Sequence, residues 1–218
     1  MSQISIIMPC FNAEPYLAET LASLQAQGEF DWELLVVNDR STDNSMKIVR
    51  EACPEAIIVE GEKRGIGAAL NLALPQAKGE YLAFIDADDV WHPDKLRTQF
   101  EALRQTPEWD GCFVQTEQFL HQPQQGQRAP EATGRHRGAL LIKKNAFNRV
   151  GTFREDIKIG EFVDWCARAE QAGIRLGELP HKHYRRRLHQ TNTMKASDTD
   201  KRDYLRVLKA HLDRKRSR

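Results

Sequence analysis

A chain of 218 residues with 40% hydrophobic and 29% charged side chains carries enough apolar material for one core and little reason to split into two. Its formal net charge of +1 argues against a generally nucleic-acid-binding or polyanion-binding surface. The four cysteines (Cys10, Cys53, Cys112, Cys166) lie far apart with no Cys-x-x-Cys pair, which argues against a disulfide frame or zinc site and for buried thiols in a reducing compartment. No apolar run approaches the roughly eighteen residues of a membrane span and no secretory leader is visible, so a cytoplasmic protein without a transmembrane segment is expected.

Ile4-Ser5-Ile6-Ile7-Met8 reads as a strand stopped by Pro9. Leu17, Leu21 and Leu24 then recur at helical spacing within 16–25, and Gly28 closes that helix. Residues 32–37 form a second strand running into the polar loop Asn38 to Asp43, which supplies N-caps for a helix through Met46, Ile48 and Val49. A third strand at 56–59 is followed by a helix opening at Gly65-Ile66-Gly67. These two glycines match half of a dinucleotide fingerprint, but Leu70 stands at the third position. A strand at 80–85 and a helix at 94–105 complete an alternation that predicts βαβ units and a parallel sheet. Beyond residue 106 come a strand at 111–114, a long exposed loop at 121–138, a strand at 138–142, a short helix at 144–150, a helix from 161 to 172 and a strand at 176–179. A dense basic run (181–189) and a charged helix (198–214) end the chain.

The stretch Tyr81-Leu82-Ala83-Phe84-Ile85 runs straight into Asp86-Ala87-Asp88-Asp89. Ligands of open α/β sheets sit at the carboxyl ends of strands. Three carboxylates packed there repel, and a hard divalent cation with substrate phosphates relieves the repulsion. An acidic N-cap for the helix that follows is the simpler alternative. Polar loops holding Asn12 and Glu14, Asn38 and Asp39, and the acidic cluster follow three of the first four strands, and right-handed crossovers put them on one edge.

In order along the chain, Met8-Pro9-Cys10-Phe11-Asn12-Ala13-Glu14, Val37-Asn38-Asp39-Arg40-Ser41-Thr42-Asp43, Gly65 to Asn71 with Ala77-Lys78-Gly79-Glu80, Asp86-Ala87-Asp88-Asp89, Gly138 to Phe153 and Arg187-Leu188-His189-Gln190-Thr191-Asn192 resemble the motifs of the family 2 glycosyltransferases. The resemblance implies a single GT-A domain over 1–197: a Rossmann-like, mostly parallel α/β sheet flanked by helices. Its nucleotide-sugar half would be 1–105 and its acceptor half 106–197, with a basic helix or tail at 198–218. It also implies metal-assisted transfer of a sugar, with inversion, from a UDP- or GDP-linked donor to an acceptor hydroxyl. Asp39 is then expected to hold the base, Asp86 to lie near the ribose, and Asp88 to bind Mn²⁺ or Mg²⁺. His189 would be a further metal or diphosphate contact. Pro9, Asn12, Glu14, Arg64, Gly67, Asn71, Ala87 and Arg187 complete the donor-binding set that the resemblance implies.

The chain departs from the family at the catalytic base, an aspartate following a glutamate at a helix start: here Glu161 is followed by Phe162. Glu161 and Asp164 are the remaining candidates, with Glu161 favoured and a capping role the alternative for Asp164. The loss motivates a second reading, a nucleotide-sugar-binding scaffold without turnover. A nucleotidyltransferase is a third, weakened because no Gly-rich basic loop follows the first strand. The tail from Lys201 to Arg218 holds eight Lys/Arg against two Asp, which suits a solvated helix or a homodimer contact, or failing those an anionic lipid surface or acidic partner. The acceptor is not legible.

Overall fold

The structure is a computed structural model that describes residues 3–28 and 30–189. The expected charged helix and every expectation placed on the tail lie outside them. The first half alternates β1 (Ile4–Cys10), α1 (Glu14–Gln25), β2 (Trp32–Asn38), α2 (Ser45–Ala52), β3 (Ile57–Glu60), α3 (Ile66–Ala73) and β4 (Tyr81–Phe84). β1 pairs in parallel with both β2 and β4, and β2 pairs in parallel with β3. Ile4, Ile6, Ile7 and Met8 are all fully buried, because helices cover both faces of this central strand. The strand order β3-β2-β1-β4 reverses direction at β1. The crevice between the carboxyl ends of β1 and β4 is therefore the switch point at which such sheets bind ligands.

The second half contains β5 (Val90–Trp91), α4 (Lys95–Gln105), β6 (Gly111–Phe113), β7 (Thr116–Leu120), β8 (Leu140–Lys143), α5 (Lys144–Val150), α6 (Glu161–Gln171), β9 (Leu176–Glu178) and β10 (Tyr184–Leu188). β8, β6 and β9 extend the main sheet to seven strands, with β8 antiparallel to both neighbours. The sheet is mostly parallel, as expected, with this antiparallel insertion. Among the described residues no helix is long and apolar enough to cross a membrane.

Two expectations change. β1 continues through Pro9 to Cys10; the β4 ladder ends at Ile7–Phe84, so the missing N–H of Pro9 removes no bond on that side. The dense basic run contains a strand that its sequence did not suggest: residues 184–188 form β10, the middle strand of a second, three-stranded sheet ordered β5-β10-β7. Charged alternation hid that strand, because Arg185 and Arg187 lay their stems across Phe119 of β7, each guanidinium 4.6 Å from the ring centroid.

Lys95, the first residue of α4, is fully buried with its ammonium 3.9 Å from the centre of the Trp91 ring and 2.9 Å from Gln99 Oε1. Burial lowers its pKa from 10.5 to about 7. The native state thus disfavours the charge by a net roughly 4–5 kcal/mol. Between pH 7 and 10.5 the unfolded chain binds more protons, so stability rises with pH across that window. Lys95→Met is expected to raise the melting temperature below pH 7, and the gain should shrink as pH approaches 10. A melting-temperature series against pH checks this; an equal shift at every pH would contradict it.

Candidate active site

Four loops meet where the parallel strands end. The β1–α1 and β2–α2 loops are sewn together by side chains that bond backbone. Asn12, held at φ +47°, accepts from Thr42 N–H through Oδ1 (2.8 Å). Glu14 accepts from the backbone and side-chain amides of Asn44 (3.0 and 2.8 Å), which lowers its pKa. Asp43 returns the favour to the Glu14 N–H (3.0 Å). Asn12 and Glu14 therefore tie the two loops together at the surface. Asp39 sits at the β2 tip, its N–H donating to the Cys10 carbonyl (2.8 Å) and its Oδ1 accepting from Lys63 N–H (2.6 Å). Beside it Phe11 is 51% exposed, with the Lys63 ammonium 4.4 Å from its ring centroid. An exposed aromatic at a strand tip next to a fixed carboxylate is a surface for a flat, hydrogen-bonding ring.

From Asp39 an open cleft of about 90 Å³ runs along α3, lined by Glu62, Arg64, Asn71, Leu72 and Glu155. Asn71 brackets the Phe153 backbone, accepting from its N–H (3.0 Å) and donating to its carbonyl (2.9 Å). Asn71 also donates to Glu155 (2.9 Å), whose other oxygen accepts from Arg64 (2.8 Å). Gly67 lets α3 close on this segment, since a Cβ there would strike the Arg154 carbonyl. Of the expected donor-binding residues on and just before α3, Gly67 and Asn71 dock the helix and Arg64 lines the cleft.

The acidic loop is the most heavily tied part of the site. Asp89 is 2% exposed and accepts from the Tyr184 hydroxyl and from Arg187 N–H (2.8 Å). Burial first, and then Asp88 and Asp86, push its pKa well above the carboxylate range. Arg187 is 4% exposed: Nε donates to the Asp88 carbonyl (2.8 Å) and Nη2 to Glu19 (2.7 Å). It buttresses the loop from behind. The Ala87 carbonyl accepts from Thr20 Oγ1 (3.0 Å), so Ala87 contributes backbone geometry. Asp88, which burial and Asp86 push up, carries Oδ2 2.8 Å from His189 Nε2.

That spacing tests the fit of a cation. An octahedral hard ion with ligands at ~2.1 Å holds adjacent donor atoms about 3.0 Å apart. One carboxylate oxygen and one imidazole nitrogen at 2.8 Å fit such an edge, and the mixed donor set suits Mn²⁺ better than Mg²⁺. Among the described residues no group of three His, Cys, Asp or Glu side chains is arranged to hold a metal. Substrate oxygens would have to complete the shell.

Asp86 faces residues from the second half of the chain. Its carboxylate is bound by Arg137 Nη2, while Arg137 Nη1 donates to Glu161 Oε1 (2.7 Å). Arg137 is 7% exposed; burial works against its charge, but the two carboxylates outweigh burial and hold the guanidinium protonated. The adjacent Gly138 makes this placement feasible, because any Cβ there would overlap the Tyr184 ring. Glu161, 7% exposed, is thereby held through Arg137 to Asp86 at the start of α6. Asp164 is fully buried and accepts from Arg168 Nε (2.8 Å), whose guanidinium also bonds the Val150 and Thr152 carbonyls (each 2.8 Å). That is a strut between α6 and the preceding loop. Phe162 and Trp165 both enter the core, with ring planes 3° apart.

The sequence reading missed Phe11, Tyr184 and Arg137. Arg137 lies in a stretch whose polar composition predicts an exposed loop; its one local signal is the His-Arg-Gly directly before an apolar strand.

This is the fold of a GT-A glycosyltransferase. TarS from S. aureus in complex with UDP-GlcNAc superposes with a TM-score of 0.78 at 22% identity, over 97% of this chain and 65% of that one. The mannosyltransferase PcManGT from Pyrobaculum calidifontis, in complex with GDP-Man and Mn²⁺, gives 0.71 at 20% identity, over 99% and 64%. Residues 5–158 match the model of glycosyl transferase family 2, and the chain belongs to that family, which sets the nucleotidyltransferase reading aside. A curated relative, the UDP-Glc:alpha-D-GlcNAc-diphosphoundecaprenol beta-1,3-glucosyltransferase WfgD of Escherichia coli, is 37% identical over 102 residues, which is 46% of this chain and 40% of WfgD. The matched stretch thus spans about two fifths of such relatives.

Proposed function

We propose that the protein transfers a sugar, with inversion, from a nucleoside-diphosphate donor to an acceptor hydroxyl, assisted by Mn²⁺ or Mg²⁺. The observation that carries this is the Asp88–His189 pair at the β4 tip, on the same sheet edge as Asp39 and Phe11. Phe11 and Asp39 bind the base, Phe11 by stacking and Asp39 as hydrogen-bond acceptor. The cation held by Asp88 and His189 supplies charge neutralisation for the departing diphosphate. Arg64 adds positive charge along the cleft, and Arg137 fixes Asp86 and Glu161 relative to each other. Glu161, bonded to Arg137 through Oε1, takes the acceptor proton on its second oxygen. Four unpaired cysteines fit a cytoplasmic setting.

Phe162, buried where the family carries its aspartate, favours the second reading of a donor-binding protein without turnover. Titration with UDP- and GDP-sugars in the presence of Mn²⁺, alongside a donor-hydrolysis assay, separates the two. Turnover supports transfer, binding alone supports the scaffold, and neither refutes both. Asp39→Ala is expected to weaken donor binding by about 10- to 100-fold, the equivalent of one charged hydrogen bond.

A further inference from the structure

One face of α1 runs along the acidic loop. Glu19 and Thr20, Ser23 and Gln27 follow Tyr16 at three- and four-residue steps and so share a side. Thr20 Oγ1 donates to the carbonyls of Ala87 (3.0 Å) and Asp89 (2.8 Å). Ser23 Oγ accepts from Trp91 N–H (3.1 Å), Gln27 Nε2 donates to the His92 carbonyl (2.9 Å), and Glu19 accepts from Arg187 (2.7 Å). Tyr16, in the first turn, reaches the end of β10: its ring stacks on the His189 imidazole with centroids 4.3 Å apart and planes inclined by 24°. The His121 ring meets Tyr16 edge-on at 4.9 Å, and the Arg187 guanidinium lies 5.5 Å from its centroid.

We propose that Tyr16 is a positioning residue that sets the plane of the His189 imidazole and thereby the affinity of the Asp88–His189 pair for a divalent cation. The inference deepens the function proposed above and rests on it. The second side-chain torsion of histidine has a broad, shallow preference. The stacked Tyr16 ring narrows the tilts open to the imidazole and keeps Nε2 directed at Asp88 Oδ2. Because α1 also pins the carbonyls on either side of Asp88, a single rigid helix sets both donor atoms. The stack needs an aromatic plane and not the phenol oxygen.

The test is an electron-paramagnetic-resonance titration of the full chain with Mn²⁺, alone and with UDP or GDP. Removing a group that orients a metal ligand typically costs 10- to 100-fold in affinity. Tyr16→Ala is expected to weaken Mn²⁺ binding by about tenfold, and Tyr16→Phe by less than about twofold. Metal-free nucleotide binding should be unchanged in both. Should Tyr16→Ala fail to fold, as judged by circular dichroism, Tyr16→Leu fills the space without a plane and is held to the same criterion. If Asp88→Ala and His189→Ala lose Mn²⁺ while the Tyr16 variants keep it, the positioning role is wrong and the metal site stands. If all of these leave Mn²⁺ binding unchanged, both fall.

Discussion

Asp88→Asn is expected to lower sugar transfer by roughly a thousandfold or more if, as proposed, Asp88 holds a cation, because neutralising the diphosphate would be worth several kcal/mol in the transition state. The amide keeps the shape of the carboxylate and can still accept a hydrogen bond from His189, so the loop should hold its conformation. Burial and Asp86 raise the Asp88 pKa. The native state therefore binds protons more readily than the unfolded chain just above the usual carboxylate range, and stability falls as pH rises through that window. Substitution by Asn removes this cost, so the metal-free variant should melt at the same temperature as the parent or higher at neutral pH. A loss of transfer together with a gain of stability is what separates a functional carboxylate from a structural one. Unchanged turnover and unchanged Mn²⁺ affinity would remove Asp88 from the site.

Glu161→Gln should cost about 10² to 10⁴ in turnover, the usual span for a positioned proton acceptor, while leaving donor affinity within about threefold. The glutamine can still accept from Arg137 through its amide oxygen, so the bridge from Asp86 through Arg137 to α6 is kept. Asp164→Asn is the instructive contrast. Asp164 is fully buried against Arg168, and breaking such a pair typically costs ~3–5 kcal/mol. Unfolding by denaturant should reveal that loss, whereas the folded fraction should turn over normally. If Asp164→Asn abolished turnover without loss of stability and Glu161→Gln were silent, the proton acceptor would be misassigned.

The placement of Glu161 depends on Phe162 in a way composition cannot reveal. At a helix start, adjacent residues point about 100° apart. Glu161 meets Arg137 while Phe162 packs against Phe113 and Trp165. A carboxylate at 162 would either be buried in that aromatic cluster or force α6 to turn, so the departure from the family pattern is also a repacking of the core.

The strand–helix alternation of the first half and the acidic cluster at a strand end were determined by the sequence itself. Apolar periodicity and the repulsion of neighbouring carboxylates are local properties, carried within about ten residues. Only the tertiary structure decided which charged groups face the crevice. Arg137 finds Asp86 across 51 positions, Tyr184 finds Asp89 across 95, and His189 finds Asp88 across 101. β10 escaped the pattern because its arginines are held by aromatic faces and by carboxylates from β7, α1 and the acidic loop. Charge that reads as solvated along the chain becomes buried wherever distant residues supply its partners.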